Sequence, residues 1–234
     1  MKLRPKLAIP DTHAPYTHKF ALDFLADTYH AYDCDGVVHV GDIVDFHYSS
    51  YHTSEVDAYN PVQEYELALE FTDKLTRLFP HGDLVRGNHD SIPQRKMKDM
   101  GLTEKLLKDE NELYGLPETW TVHDLYYVME FEGWDADVLV EHGMGSNGKN
   151  GAINSAVAKR CSYVQGHSHS FAGVQYSTNF KNTIFGMNVG SLADSNSLAQ
   201  RYGKFFKNKQ VTACGVVFNP EMAIVEIMDE RIYR

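Results

Sequence analysis

Five short clusters in this chain supply carboxylate, amide or imidazole groups: Asp11-Thr12-His13, Gly41-Asp42, Gly87-Asn88-His89-Asp90, Glu141-His142-Gly143 and Gly166-His167-Ser168-His169. Such a mixed oxygen and nitrogen set, free of thiolate, suits divalent manganese, iron, nickel or zinc. A carboxylate in such a set can bridge two ions roughly 3.5–4 Å apart, the spacing of two-metal phosphoryl chemistry. Singly, Asp-x-His or Gly-Asp is what any chain of this size produces by chance. Gly-Asn-His-Asp is more specific, and His167 and His169 fall on the same side of an extended segment. The weight lies in the five occurring together, in order.

Each cluster follows a short run of strand formers. Leu7-Ala8-Ile9 precedes the first, Val37 to Val40 the second, Asp83-Leu84-Val85 the third, Val138-Leu139-Val140 the fourth and Tyr163-Val164 the fifth. Strands that end together bring their loops to one edge of the sheet, where open α/β sheets bind ligands. Residues far apart in sequence thus converge.

Between these runs, Phe20, Ala21, Phe24, Leu25 and Tyr29 recur at helical spacing. Pro61 opens a second helix with Tyr65, Leu69, Thr72, Leu75 and Leu78 along one face, and Pro80 ends it. Strand-helix-strand-helix-strand implies right-handed crossovers and a largely parallel sheet. The later half is strand-rich. Thr121 to Phe131 and Ala136 to Val140 read as paired strands across a Glu132-Gly133 turn, and Val174 to Val189 and Val211 to Ile227 as further strands, with Asn219-Pro220 a hairpin turn. Two packed sheets with helices outside fit this order. Met97 to Glu118 reads as a helical segment, Phe46 to Asn60 as an aromatic, His-bearing loop and Gly143 to Gly151 as a glycine-rich loop. Loops at ligand-bearing strand ends are where substrate selection usually resides.

At 234 residues, 43% apolar and 23% charged, the chain is expected to form one domain over 1–234 with no capping domain. No apolar run approaches a membrane span, and the basic start Met1 to Lys6 leads into a strand rather than a signal peptide, so a cytoplasmic protein is expected. Cys34, Cys161 and Cys214, odd in number and without C-x-x-C spacing, are expected to be buried thiols. A net charge of −10 argues against tight non-specific binding to nucleic acid, yet leaves a nuclease possible, because bound divalent ions govern the local charge where a phosphate sits.

In these motifs the chain resembles the calcineurin-like metallophosphoesterases, whose pattern is Asp-x-His, Gly-Asp, Gly-Asn-His-(Asp/Glu), His, Gly-His-x-His. The resemblance runs from Asp11 to His169. Ile184 to Ser191 resembles the strand and turn that often follow the last motif, and the compact form with Gly148-Lys149-Asn150 is similar to phage-encoded members. The resemblance implies an α/β fold, a four-layer αββα sandwich of two mixed β-sheets flanked by helices. It also implies two divalent ions, manganese foremost, with iron, nickel or zinc as alternatives. Asp11, His13 and His169 would hold one ion, Asn88, His142 and His167 the other, and Asp42 would bridge them. A hydroxide between the ions would attack phosphorus, with His89 as general acid to the leaving oxygen. In the family the acid three residues after the bridging aspartate pairs with this histidine, which here is Asp45. Asp90 is expected to make local turn contacts.

One departure bears on substrate. Phosphoprotein phosphatases of the superfamily place a phosphate-binding arginine after the second motif, and this chain has Phe46 there; Arg86 matches their other arginine and is a candidate substrate contact. Phe46, His47, Tyr48, Tyr51 and His52 either stack on a base or form an ordinary packed loop. His39, inside a strand, is expected to be packed beside the site. The reading is a binuclear-metal phosphoesterase leaning towards phosphodiesters, with a nucleotide or nucleic acid as possible substrate. Its rivals are a phosphomonoesterase or phosphoprotein phosphatase, a DNA or RNA nuclease, and a non-catalytic scaffold. A scaffold is expected to lose ligands or the catalytic histidine, and here all are present.

Overall fold

The computed structural model describes residues 4–49, 59–197, 209–229 and 231–233. In chain order its elements are β1 (Lys6–Ile9), α1 (Ala21–Ala31), β2 (Gly36–His39), α2 (Pro61–Leu78), β3 (Gly82–Val85), α3 (Ile92–Asp99) and α4 (Glu110–Tyr114). Then come β4 (Trp120–His123), β5 (Tyr126–Met129), β6 (Val138–Glu141), α5 (Gly151–Lys159), β7 (Ser162–Gln165), β8 (Ala172–Thr178), β9 (Thr183–Val189), β10 (Ala213–Asn219) and β11 (Met222–Ile227).

The strands form two mixed sheets among the described residues, one in the order β11-β10-β1-β2-β3-β4 and the other β5-β6-β7-β9-β8. β1 to β4 run parallel, and β10 joins β1 antiparallel. In the second sheet β6, β7 and β9 are parallel, with β5 and β8 antiparallel at its edges. Alternation along each strand sorts side chains into layers. Leu7, Ile9, Val37 and Leu84 pack with α1 and α2, while Ala8, Val38 and Val85 face the other sheet and meet Val140, Val164, Met187 and Val189. Tyr163 points the other way, under Ala152 and Ala156 of α5. Helices, sheet, sheet, helix is the four-layer sandwich expected. Strands buried on both faces need apolar residues at successive positions, which is why β1 and β2 read as continuous runs rather than alternating ones.

Several local expectations need correction. Thr121 to Phe131 is two strands: β4 pairs with β3 in the first sheet and β5 with β6 in the second, with exposed Leu125 at the break. The chain changes sheets there. Met97 to Glu118 is the end of α3, a 3-10 turn at Glu104–Leu106 and the short α4, interrupted by Gly101 and Gly115 in left-handed conformations. Helix α5, after the glycine-rich loop, is an element that the sequence pattern does not mark. On α2 the buried stripe is Glu64, Ala68, Thr72 and Leu75, with Tyr65, Leu69 and Leu78 half-buried beside it. Cys34 and Cys214 are buried, whereas Cys161 is partly exposed. Of the loop from Phe46 to Asn60, residues 50–58, which include Tyr51 and His52, lie outside the described residues. No helix among the described residues is long and apolar enough to cross a membrane.

Candidate metal centre

The carboxyl ends of β1, β2 and β3 in one sheet and of β6 and β7 in the other meet at a common edge, and all seven candidate ligands lie there. Asp11 Oδ2 is 3.0 Å from His169 Nε2, and His13 Nε2 is 3.1 Å from the same nitrogen. Asn88 Oδ1 lies 2.9 Å and His167 Nδ1 3.2 Å from His142 Nε2. Asp42 stands between the groups, its Oδ2 3.7 Å from His13 Nε2 and 3.3 Å from His142 Nε2. Asp11, His13 and His169 form one compact set of donors, and Asp42, His142 and His167 another, each within 4.8 Å. Asp42 also joins His13 and His89 in a third such set.

The donors fit divalent ions on a specific observation. Ring nitrogens face each other in two places, His13 to His169 and His142 to His167, and carboxylate oxygens crowd both pairs. Imidazole nitrogens crowded together beside buried carboxylates are costly alone, and a cation among them satisfies both.

Backbone geometry holds the motifs together. The N–H groups of Thr12 and His13 donate to the carbonyl of Asp42 at 3.1 and 2.9 Å, and that of His167 to Asp11 Oδ2 at 3.0 Å. His142 Nδ1 meets the Val40 carbonyl at 3.0 Å, which leaves Nε2 to point into the cluster. His13, Asp42 and His167 all adopt positive φ, a conformation rare for non-glycine residues and concentrated at functional sites. Two motif glycines allow the approach: a Cβ at Gly87 would lie 2.1 Å from Asp42 Oδ1, and one at Gly166 2.1 Å from Asp11 Oδ1. Gly166→Ala is therefore expected to push Asp11 aside and weaken metal binding by roughly 10–100-fold, the scale set by mispositioned outer partners. Metal titration would show it, and unchanged affinity would mean that Asp11 is not a ligand.

His89 sits at the rim. Its Nδ1 lies 2.9 Å from Asp45 Oδ1 and 2.7 Å from the Asp45 carbonyl, and its N–H donates to Asp42 Oδ1 at 2.8 Å. Burial disfavours the imidazolium, but Asp42 and the hydrogen bond to Asp45 outweigh it and push His89 up to about 10. His142 is pushed up to about 9 in the same way, by Asp42 above all, so ions and protons compete for its Nε2. His167 is lowered, first by burial and then by His142. Burial opposes ionisation of Asp42, yet the charges of His142 and His89 hold it well below the usual carboxylate range.

Three residues do more than their sequence suggested. Asp45 pairs with His89 as expected, and the same Oδ1 lies 2.6 Å from His13 Nδ1, so one carboxylate aims both rings. Asp90 is fully buried and accepts from Gly87 N at 2.8 Å, Asp42 N at 2.7 Å and Val44 N at 3.3 Å, which fastens the third motif to the second rather than only closing its own turn. Burial, aided by Asp42, pushes it up to about 7. Glu64 carries no motif spacing in the sequence, yet it is buried and accepts from the turn after Asp45. Its spacing with Ala68, Thr72 and Leu75 becomes a buried stripe only once the packing of α2 fixes the helix's rotation.

His39 is buried beside Thr12 Oγ1 at 3.1 Å and stays neutral, pushed by burial down to about 3. Ser191, in the turn after β9, donates its hydroxyl to the Asp11 carbonyl at 3.2 Å. Arg86 is occupied: Nη2 is 2.5 Å from Glu110 and Nη1 3.0 Å from Asp124, so its charge is already matched by carboxylates.

The sequence model of the calcineurin-like phosphoesterase family matches residues 5–183. No curated protein matches the chain significantly in sequence. Among solved structures, the Vacuolar Protein Sorting 29 protein of Cryptosporidium parvum is similar at 13% identity and a TM-score of 0.46, over 96% of each chain. YfcE, a phosphoesterase from E. coli, shares 15% identity with a TM-score of 0.46, over 96% of this chain and 100% of that one. A metallophosphoesterase from Sphaerobacter thermophilus shares 18% identity with a TM-score of 0.45, over 96% of this chain and 88% of that one.

Proposed function

Because this chain belongs to the calcineurin-like phosphoesterase family and is a metal-dependent phosphoesterase, we propose that it hydrolyses phosphodiesters at a two-metal centre with His89 as general acid. The observation that carries this reading is the convergence of seven oxygen and nitrogen donors from both sheets, with an Asp45-held imidazole beside them. Asp11, His13 and His169 would hold one ion and Asn88, His142 and His167 the other, with Asp42 shared. When bound, such ions supply a nucleophile at neutral pH and neutralise charge on the phosphoryl oxygens. Manganese is the proposed metal, although the order of divalent affinities means that purified protein reflects metal availability as well as preference.

The chain's own residues do the rest. Asp45 engages Nδ1 of His89, so Nε2 is the nitrogen with a proton to give to a leaving oxygen. From about 10 the imidazolium is charged at neutral pH, and cations nearby would ease its release of that proton. Water is kept from the other side of the cluster by packing: Asp11, His13, Asp42 and His142 are all buried, while His89 and His169 keep partial exposure. Substrate enters there.

The lean towards diesters rests on charge. Position 46 is Phe, and Arg86 is paired with Glu110 and Asp124, so neither position offers a cation for the second negative charge of a monoester. A diester carries one charge fewer. With manganese, kcat/KM is expected to be higher on bis(p-nitrophenyl) phosphate than on p-nitrophenyl phosphate. A panel adding cyclic nucleotides and single- and double-stranded DNA would place the substrate within the diesters. A clear preference for the monoester would establish the phosphatase reading instead.

A further inference from the structure

We infer that Glu64 is a positioning residue for the proposed acid: it clamps the turn after Asp45 and thereby fixes how Asp45 presents His89. This rests on the reading of His89 given above.

The chain reverses sharply after the second motif. Phe46 has φ 49, an uncommon conformation for a bulky aromatic, and His47–Ser49 then form a 3-10 turn. Asp45 holds His89 twice, through its carboxylate at 2.9 Å and through its backbone carbonyl at 2.7 Å. That carbonyl belongs to the peptide unit joining Asp45 to Phe46, so the left-handed bend at Phe46 helps set the direction of the acceptor that meets Nδ1. Something must hold that bend. Asp45 N is tied back to the Ala14 carbonyl at 3.0 Å on one side. On the other, the next two N–H groups, of His47 and Tyr48, both donate to the Glu64 carboxylate, the latter at 3.0 Å.

Glu64 is a costly choice for this place. It is 3% exposed, and its own stripe on α2 continues as Ala68, Thr72 and Leu75. An apolar residue would serve packing there without the desolvation of a carboxylate, whereas only a two-oxygen acceptor takes both N–H groups in charge-assisted bonds. Burial and the nearby charge of Asp45 push Glu64 up to about 7 despite those bonds. The acid keeps this place despite the cost of burying it, and the N–H groups it binds lie two and three residues beyond Asp45.

The test uses the metal-reconstituted protein and the variants Glu64→Ala and Glu64→Gln. In Glu64→Ala, kcat on a diester with an alkyl leaving group is expected to fall about 10-fold, the lower end of the range for residues acting behind a ligand or catalytic group. On the p-nitrophenyl diester it should hardly change, with KM unaltered and any loss of metal smaller than in Asp45→Asn, since the Asp45 carboxylate that also holds His13 is kept. Glu64→Gln, which keeps one good acceptor, should recover part of the loss. In the zinc-loaded protein with ¹⁵N-labelled histidine, the His89 ring signals should move in Glu64→Ala, with Glu64→Gln intermediate. Equal loss on both diesters with unmoved His89 signals would show a purely structural role. Should His89→Ala itself prove insensitive to the leaving group, the acid reading fails alone, and the His89 signals still decide whether Glu64 orients that ring. If Glu64→Ala does not fold, Glu64→Gln carries both readouts.

Discussion

Asp42→Asn is expected to yield a folded protein that has lost both ions and, with them, turnover. Asp42 is the donor shared between the two sets, with Oδ2 near both His13 and His142. The amide is nearly isosteric, and its oxygen can still accept the His89 N–H that Asp42 Oδ1 accepts at 2.8 Å, so the loop should survive. What goes is the charge that two cations would share. The carboxylate is strongly held ionised by its imidazole neighbours, and an amide offers no equivalent. The loss should exceed the roughly 10–100-fold that outer partners of a metal site cost. Metal analysis of the purified variant and turnover with added manganese would measure it. Chelation of the parent protein should reproduce the defect, with recovery on adding manganese. An Asp42→Asn protein that kept both ions would sink the shared-ligand assignment.

For His89→Ala the expected result is different in kind: metals retained, substrate still bound, and a rate lower by roughly 10²–10⁴-fold, the usual contribution of a general acid. The deficit should be greatest for poor leaving groups and shrink for nitrophenolate, which scarcely needs a proton. Asp45→Asn should give a milder version. It should also disturb the first donor set, because the same Oδ1 holds His13 at 2.6 Å; some loss of metal is expected there and none in His89→Ala. Since Asp45 and His89 act as one unit in the chemistry, the double variant, compared at matched metal occupancy, should add little in rate beyond His89→Ala. Equal losses across leaving groups would point to electrostatic stabilisation of the phosphoryl oxygens, and lost metal in His89→Ala would make His89 a ligand.

The site was legible in sequence because each donor follows a short apolar strand, and strand ends are where polar groups can be gathered. The pairing of Asp45 with His89 was readable through family resemblance, but its second contact with His13 was not, since nothing in spacing relates residues 13 and 45. Glu64 looked like an ordinary acid in the first turn of a helix, favourable to the helix dipole. Its burial follows from the rotation of α2 about its axis, which tertiary packing decides. The break at Leu125 was hidden because residues on both sides of it are strand formers, and alternation does not tell which sheet a strand joins. Helix α5 was hidden by small residues, Gly151, Ala152 and Ala156, which suit close packing rather than a broad apolar face. At Gly186 of β9 a Cβ would lie 2.2 Å from the backbone of Ile153, so the helix rests almost directly on the strand.

The seam between the sheets also orders events during synthesis. Through the end of β4 the growing chain carries Asp11, His13, Asp42 and Asn88, three oxygen donors and one imidazole, a set that favours hard ions and grips them loosely. The other three imidazoles, His142, His167 and His169, belong to the second sheet, and β10 must still return to flank β1 before the first sheet is complete. The donor set of the site is therefore incomplete on a nascent chain, and its nitrogen-rich half is added last. The finished edge, with its fixed donor spacing, exists only once both halves have docked, so whatever selection that spacing exerts acts after folding and not during synthesis.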